Sequence, residues 1–226
     1  MSKNSTIVVL AFLFSVSLML LTSGTASAQA VAGSKHDLTI AGPGIDLGFV
    51  SSCFACHTPH PKGAVSSTYG FLWNRPDLAG PFTMYDSTNL TAGNQVGGAD
   101  REASPQEQDL LCLSCHDGTL NLGASGGATG GAAPIVSTAS VTTDLSDDHP
   151  IGLDYSTAET GKTGQFVPIA TITGGTGVKL FSDGTSDVMV RCASCHNPHD
   201  PDGPGGTSTK FLRADADAIC QECHVK

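Results

Sequence analysis

Cys192-Ala193-Ser194-Cys195-His196-Asn197-Pro198-His199 and Ile219-Cys220-Gln221-Glu222-Cys223-His224 carry one chemical device twice. In C-x-x-C-H, two thiols add across the vinyl groups of a haem, and the adjacent histidine is placed to bind the iron from one face. Two further copies stand upstream, Cys53-Phe54-Ala55-Cys56-His57 and Cys112-Leu113-Ser114-Cys115-His116. All 8 cysteines of the chain fall in these motifs. A disulfide framework would not space every pair by two residues with histidine always next, and a zinc ribbon or redox C-x-x-C needs no such histidine. The motifs therefore imply four covalently attached c-type haems, bound through Cys53, Cys56, Cys112, Cys115, Cys192, Cys195, Cys220 and Cys223.

The histidines complete the count. Of 8 in the chain, His57, His116, His196 and His224 are the proximal iron ligands of the motifs. His36, His60, His149 and His199 remain, one for each haem. An isolated histidine is ordinarily a surface or satisfied core residue. Here the one-to-one count, with His60 and His199 at the same offset from their motifs, argues for bis-histidine ligation throughout. No iron position would be left open to a substrate. Met84 and Met189 are alternative axial ligands in principle, but the histidines suffice and both methionines read as packing.

The offset itself carries geometry. In His57-Thr58-Pro59-His60, residues three apart emerge on one side, so His60 cannot cap the opposite face of the haem held by His57. It must reach another haem. Such a tether fixes two macrocycles at close range, and Cys195-His196-Asn197-Pro198-His199 repeats it.

Around these fixed points the chain offers little for a conventional core. Residues 1–30 read as an export signal: Lys3, an apolar run from Ile7 to Leu21, then cleavage patterns ending at Ala28 or Ala30. The run is shorter than the ~20 residues of a membrane span. The remaining 196 residues hold most of the 27 glycines, 12 prolines and a single tryptophan. Burial of side chains alone would struggle to offset the ordering entropy of such a chain. The expected fold is mostly coil, with a few short helices and a small β-hairpin, templated by its haems. Ser104-Pro105-Gln106-Glu107 predicts a capped helix running toward Cys112, and a second short helix is expected from about Asp215 to Ile219. Residues 166–190 alternate around Ser182-Asp183-Gly184, with Val178 to Phe181 and Val188 to Val190 as hairpin arms. The glycine- and alanine-rich stretch from Gly118 to Pro134 reads as a linker or loosely wrapped loop. Asp147, Asp148 and Asp154 offer carboxylates for calcium, but their spacing fits no EF-hand loop.

The two halves repeat one order of landmarks. His36, C-x-x-C-H-x-P-H at 53–60, Phe71-Leu72 and C-x-x-C-H at 112–116 are followed by His149, C-x-x-C-H-x-P-H at 192–199, Phe211-Leu212 and C-x-x-C-H at 220–224. Residues 31–130 and 131–226 thus read as two dihaem modules from a tandem duplication, packed as one tetrahaem unit. With Lys3 removed, 10 basic side chains face 21 acidic ones, a formal charge of about −11. That balance argues against nucleic acid or anionic membrane partners.

With these motifs, and with Phe71-Leu72-Trp73-Asn74-Arg75 and Asp148-His149-Pro150-Ile151-Gly152, the sequence resembles the extracellular tetrahaem cytochromes of the outer-membrane cytochrome E type, which assemble into filaments. The resemblance spans nearly all of the chain after the leader. It implies bis-histidine haems in alternating parallel and T-shaped contact, with one axial histidine reaching into the neighbouring subunit of a conducting homopolymer. His60 is the first candidate for that role and His36, near the exported chain's start, the second. Redox partner proteins or extracellular acceptors would exchange the electrons, and location outside the cell is implied, the periplasm being the alternative. A monomeric periplasmic shuttle would keep all four distal ligands in one chain. An oxyanion reductase would need the open iron position that the histidine count denies, so the expectation is an electron-transfer protein, not an enzyme.

Overall fold

The computed structural model describes residues 31–39, 47–49, 51–60, 72–75, 78, 80–86, 102, 104–122, 134–135, 139–175, 177–184, 186, 188–201 and 211–225. The expected leader at 1–30, Phe71 and the glycine- and alanine-rich stretch over 123–133 lie outside the described residues.

Turns and coil dominate what is described. The longest regular element is helix α1, Glu107–His116. Helices α2, Tyr155–Gly161, and α3, Ile169–Thr173, follow, and α4, Cys192–Cys195, is a single turn. Two 3-10 turns cover Ser52–Ala55 and Ile219–Glu222. The strands have two residues each: β1, Thr83–Met84, pairs in parallel with β2, Asp144–Leu145, and β3, Leu153–Asp154, pairs antiparallel with β4, Met189–Val190. Strands this short cannot stand alone and depend on what packs around them. The fold class read from composition, mostly coil with a few short helices and small β pairs, is the one observed.

Three expected elements differ in detail. The helix expected from about Asp215 to Ile219 is instead a turn, in which the Ala218 and Ile219 N–H groups donate to the Asp215 carbonyl, leading into the 3-10 turn Ile219–Glu222. The hairpin closes at one rung, where Phe181 and Met189 exchange backbone hydrogen bonds of 3.0 and 2.8 Å above a turn in which the Asp183 N–H donates to the Ser186 carbonyl. β4 spends its other edge on β3, so the second arm serves two partners. Helix α1 begins at Glu107 rather than after a Ser104 cap. Gln106 holds the N-cap position without a side-chain bond, and the Ser104 hydroxyl instead accepts from Gln106 Nε2 at 2.9 Å. Upstream, Glu102 is paired with Arg191, and Gln106 itself is extended, so the helix starts only at Glu107.

That pairing is the main polar tie of the molecule. The Arg191 side chain is fully buried and donates from Nη2 to Glu102 Oε1 at 2.7 Å and from Nη1 to Asp109 Oδ2 at 3.1 Å. The other oxygen of Asp109 accepts the Cys192 N–H at 2.7 Å, so α1 is bound to α4. Burial raises the Asp109 carboxyl above its ordinary range, against the pull of the Cys192 N–H and Arg191. Burial would lower Arg191, but its bonds and charge pairing with Glu102 and Asp109 outweigh that and raise it. A second buried cation, Arg75, forks onto backbone carbonyls: Nε to Ser114 at 2.8 Å, Nη1 to Leu122 at 3.0 Å and Nη2 to Asn121 at 3.1 Å. It thereby fixes the chain on both sides of Cys115-His116.

Among the described residues, apolar burial is divided among three small clusters. One gathers Leu47, Phe49, Ala55 and Leu122 against Cys56 and Cys115. Another joins Met84, Leu113 and Leu145, and a third joins Tyr155, Ile172, Val178 and Val190 with Cys223 at its edge. Each abuts a C-x-x-C-H segment. The Tyr155 hydroxyl, shared between the carbonyls of Val167 (2.8 Å) and Cys223 (2.9 Å), ties the third cluster to the fourth motif.

Candidate functional site

A single helical turn shapes each motif. The His57, His196 and His224 N–H groups donate to the carbonyls of Cys53, Cys192 and Cys220 at 2.8, 3.1 and 2.9 Å, and His116 ends α1. One turn places cysteines three apart on a common side, with the histidine beside them. The motifs also stand in series in chain order. Cys56 lies near Cys115 and Cys112, Cys112 is within hydrogen-bond reach of Cys192, and Cys195 lies near Cys220 and Cys223. Burial, reinforced by these neighbours, pushes the Cys56 thiol up to about 12 and the Cys223 thiol up to about 11. Unmodified, these sulfurs would stay protonated.

Three motif histidines face three of the spare histidines. His57 and His199 have ring centres 6.2 Å apart and nearly parallel planes at 20°. His36 faces His116 at 6.0 Å and 65°, and His149 faces His224 at 6.3 Å and 74°. An iron between two imidazoles needs metal–nitrogen bonds of about 2 Å on each side, and about 1 Å more from each nitrogen to its ring centre, which gives roughly 6 Å. All three separations meet that requirement. His36 also stacks on Phe211, with ring centres 4.3 Å apart and planes at 17°.

Backbone carbonyls orient the rings. His116 Nδ1 lies 2.7 Å from the Ala139 carbonyl and His149 Nδ1 lies 3.1 Å from the Pro150 carbonyl, while the His36 ring bonds the Pro198 carbonyl. A proton held on one ring nitrogen by a carbonyl leaves the other nitrogen's lone pair for a metal. Burial, with His116 second, lowers His36 to about 4, so its ring is neutral at ordinary pH and fit to ligate. The donor set therefore fits haem: paired thiols for attachment, and imidazoles paired at the right separation.

The remaining two histidines are His196, beside Cys195, and His60. His60 is exposed and, among the described residues, forms no ring contact. Met84 and Met189 are buried as packing residues. Among the described residues no three His, Cys, Asp or Glu side chains gather to hold a metal ion, and Asp154 is engaged as the cap of α2, accepting the Ser156 N–H at 2.8 Å.

The two C-H-x-P-H tethers share a local fold. The Thr58 N–H donates to the Leu72 carbonyl and the Asn74 N–H to the Cys56 carbonyl, at 2.7 and 2.8 Å. In the second half, the Asn197 N–H donates to Phe211 and the Arg213 N–H to Cys195, again at 2.7 and 2.8 Å. His57 bridges Trp73 as His196 bridges Leu212. Asn74 Nδ2 donates to the Phe54 carbonyl at 2.6 Å, and Arg213 Nε to the Ala193 carbonyl at 2.7 Å. Each matched pair is 139 positions apart, as Cys195 is from Cys56. Leu72 therefore corresponds to Phe211 and Trp73 to Leu212, one residue away from the Phe-Leu alignment of the sequence. Both Leu72 and Phe211 hold positive φ, 52° and 57°.

Residues 186–226 match the family model of the doubled CXXCH motif. This is the segment that carries the third and fourth motifs, and it marks the chain as a haem-binding protein of c-type cytochrome character. Covalent haem through such motifs is the equipment of electron transfer, and the match brings no enzyme family with it. No curated protein matches the chain. No described helix is long and apolar enough to cross a membrane.

Sequence reasoning passed over Glu102, Asp109, Arg191 and Tyr155, and quoted Arg75 without a structural role; these side chains hold the motifs in place. One signal was present: Arg191 stands directly before Cys192 in a chain with only 11 basic residues.

Proposed function

We propose that the chain is a tetrahaem, bis-histidine electron carrier whose haems form a continuous series, and that copies join end to end as an extracellular conduit. The observation that carries this reading is the facing of three motif histidines by three distant ones at 6.0 to 6.3 Å. Each bound haem would supply a one-electron iron couple. The chain's own contribution is placement. Four cysteine pairs would anchor the haems at Cys53/Cys56, Cys112/Cys115, Cys192/Cys195 and Cys220/Cys223, in an order that follows the sequence. His199 would serve the iron of His57, His36 that of His116 and His149 that of His224. His196 and His199, on one short tether, then bind the third haem to the first. Two strong imidazole donors at every iron exclude substrate, so the same ligands that permit electron transfer disfavour catalysis.

The polymer rests on His60. It is the spare histidine outside the three pairs and is exposed. On a count of one distal histidine per haem, we assign it to the iron of His196 in a neighbouring copy. His36, by contrast, faces His116 of its own chain, which favours His60 as the ligand given in trans. Export and an extracellular position accord with the leader and with haem attachment outside the cytoplasm. In natively matured protein, His60→Ala is expected to abolish filaments while four covalent haems per chain persist by mass. Normal filaments from this variant would refute the assignment.

A further inference from the structure

We propose that Leu72 is a docking point for the His149 segment of a second copy of this chain, so that the joint between copies repeats the joint between the two halves of one chain. The proposal rests on the polymeric reading above and gives it an interface. Leu72 and Phe211 occupy matched places in the two tethers, with the same backbone bonds and the same left-handed φ. Their surroundings differ. Phe211 is 6% exposed and lies under the ring of His36, whereas Leu72 is 46% exposed. A left-handed conformation is unfavourable for a bulky residue, and in Phe211 it lays the ring on a histidine. In Leu72 the same strained backbone presents an apolar side chain to solvent.

The missing occupant is identified by the repeat. His149 is to the second half what His36 is to the first. Each faces the second motif histidine of its own half, His224 or His116, at a steep ring angle of 74° or 65°. His36 is partly covered and His149 is exposed. Within one chain, the first half's His36 rests on the second half's Phe211. Repeating that step carries the second half's His149 onto Leu72 of the next copy.

The same step acts on the other contact between the halves. His57 of the first half faces His199 of the second, so His196 of the second half would face His60 of the next copy. Two independent contacts thus call for one neighbour in one orientation. A joint that uses different surfaces on its two sides is heterologous and propagates as a filament unless it closes into a ring.

The test places a photo-crosslinking benzophenone amino acid at position 72 of the full-length, haem-loaded protein and assembles it with isotopically heavy wild-type chains. Crosslinks are expected between position 72 of one chain and the peptide containing His149 of another. In parallel, Leu72→Asn, which keeps a residue tolerant of positive φ, is expected to raise the concentration needed for assembly at least tenfold with haem content unchanged. Leu72→Phe is expected to retain assembly. Mixed filaments whose crosslinks from position 72 fall elsewhere would overturn this interface and leave the polymer standing. Wild-type chains that stay monomeric at every concentration would overturn both. Should Leu72→Asn fail to fold, the crosslink map alone decides.

Discussion

Replacing Arg191 with alanine isolates the tie between α1 and α4. The guanidinium is buried and paired with Asp109, whose side chain is fully buried too, and with Glu102, which is mostly so. Its removal leaves the Asp109 carboxylate with the Cys192 N–H at 2.7 Å as its remaining hydrogen bond from this tie. An uncompensated buried charge of this kind costs about 3–5 kcal/mol. For a domain of this size that corresponds to a fall in thermal midpoint of roughly 6–20 °C. The loss should depend on pH with a defined sign. Burial already raises the folded-state Asp109 above its ordinary carboxyl range, and loss of Arg191 raises it further. A group raised in the folded state contributes most below its unfolded pKa, and that contribution is lost as pH rises through the folded value. The deficit of Arg191→Ala is therefore largest near neutrality and narrows on acidification. Thermal unfolding of the haem-loaded variant beside wild type, at about pH 7 and about pH 5, checks this. A deficit under about 1 kcal/mol, or one equal at both pH values, would refute the reasoning.

Four further outcomes follow from the structure. His199→Ala should open the iron of the haem attached at Cys53 and Cys56, seen as one carbon monoxide bound per reduced chain; binding at another haem, or none, would contradict the His57–His199 pairing. Gly152→Ala meets both a φ of +65° and Glu102 Oε2 at 2.8 Å from the new Cβ, so it should cost about 2 kcal/mol or more by denaturant titration. Gly164→Ala, at φ +79° with open space around its Cβ, should cost only about 1 kcal/mol. Tyr155→Phe leaves the Val167 and Cys223 carbonyls without their shared hydroxyl and should lower stability by about 1–3 kcal/mol, measured the same way.

What was legible in the sequence was local or countable. The motifs, the spare histidines and the scarcity of long helices could be read because attachment chemistry fixes short spacings and composition limits burial. His199, at the end of the second tether, has its ring 6.2 Å from that of His57, a histidine of another motif. Which spare histidine meets which motif was not legible. His57 and His199 meet across most of the chain, and nothing near either residue encodes the other. The cap at Ser104 was misread: Gln106 is extended, so the helix starts only at Glu107. The alignment of Phe71-Leu72 with Phe211-Leu212 slipped by one because side-chain identity was matched where backbone hydrogen bonds set the register.

The central claim is most directly tested by cryo-electron microscopy of the natively matured protein from the extracellular fraction. The account predicts filaments with four haems per chain, iron held between His57 and His199, His36 and His116, and His149 and His224, and the fourth iron between His196 and His60 of a neighbouring copy. Discrete monomers with all four irons completed inside one chain, or an iron with an open position, would contradict it.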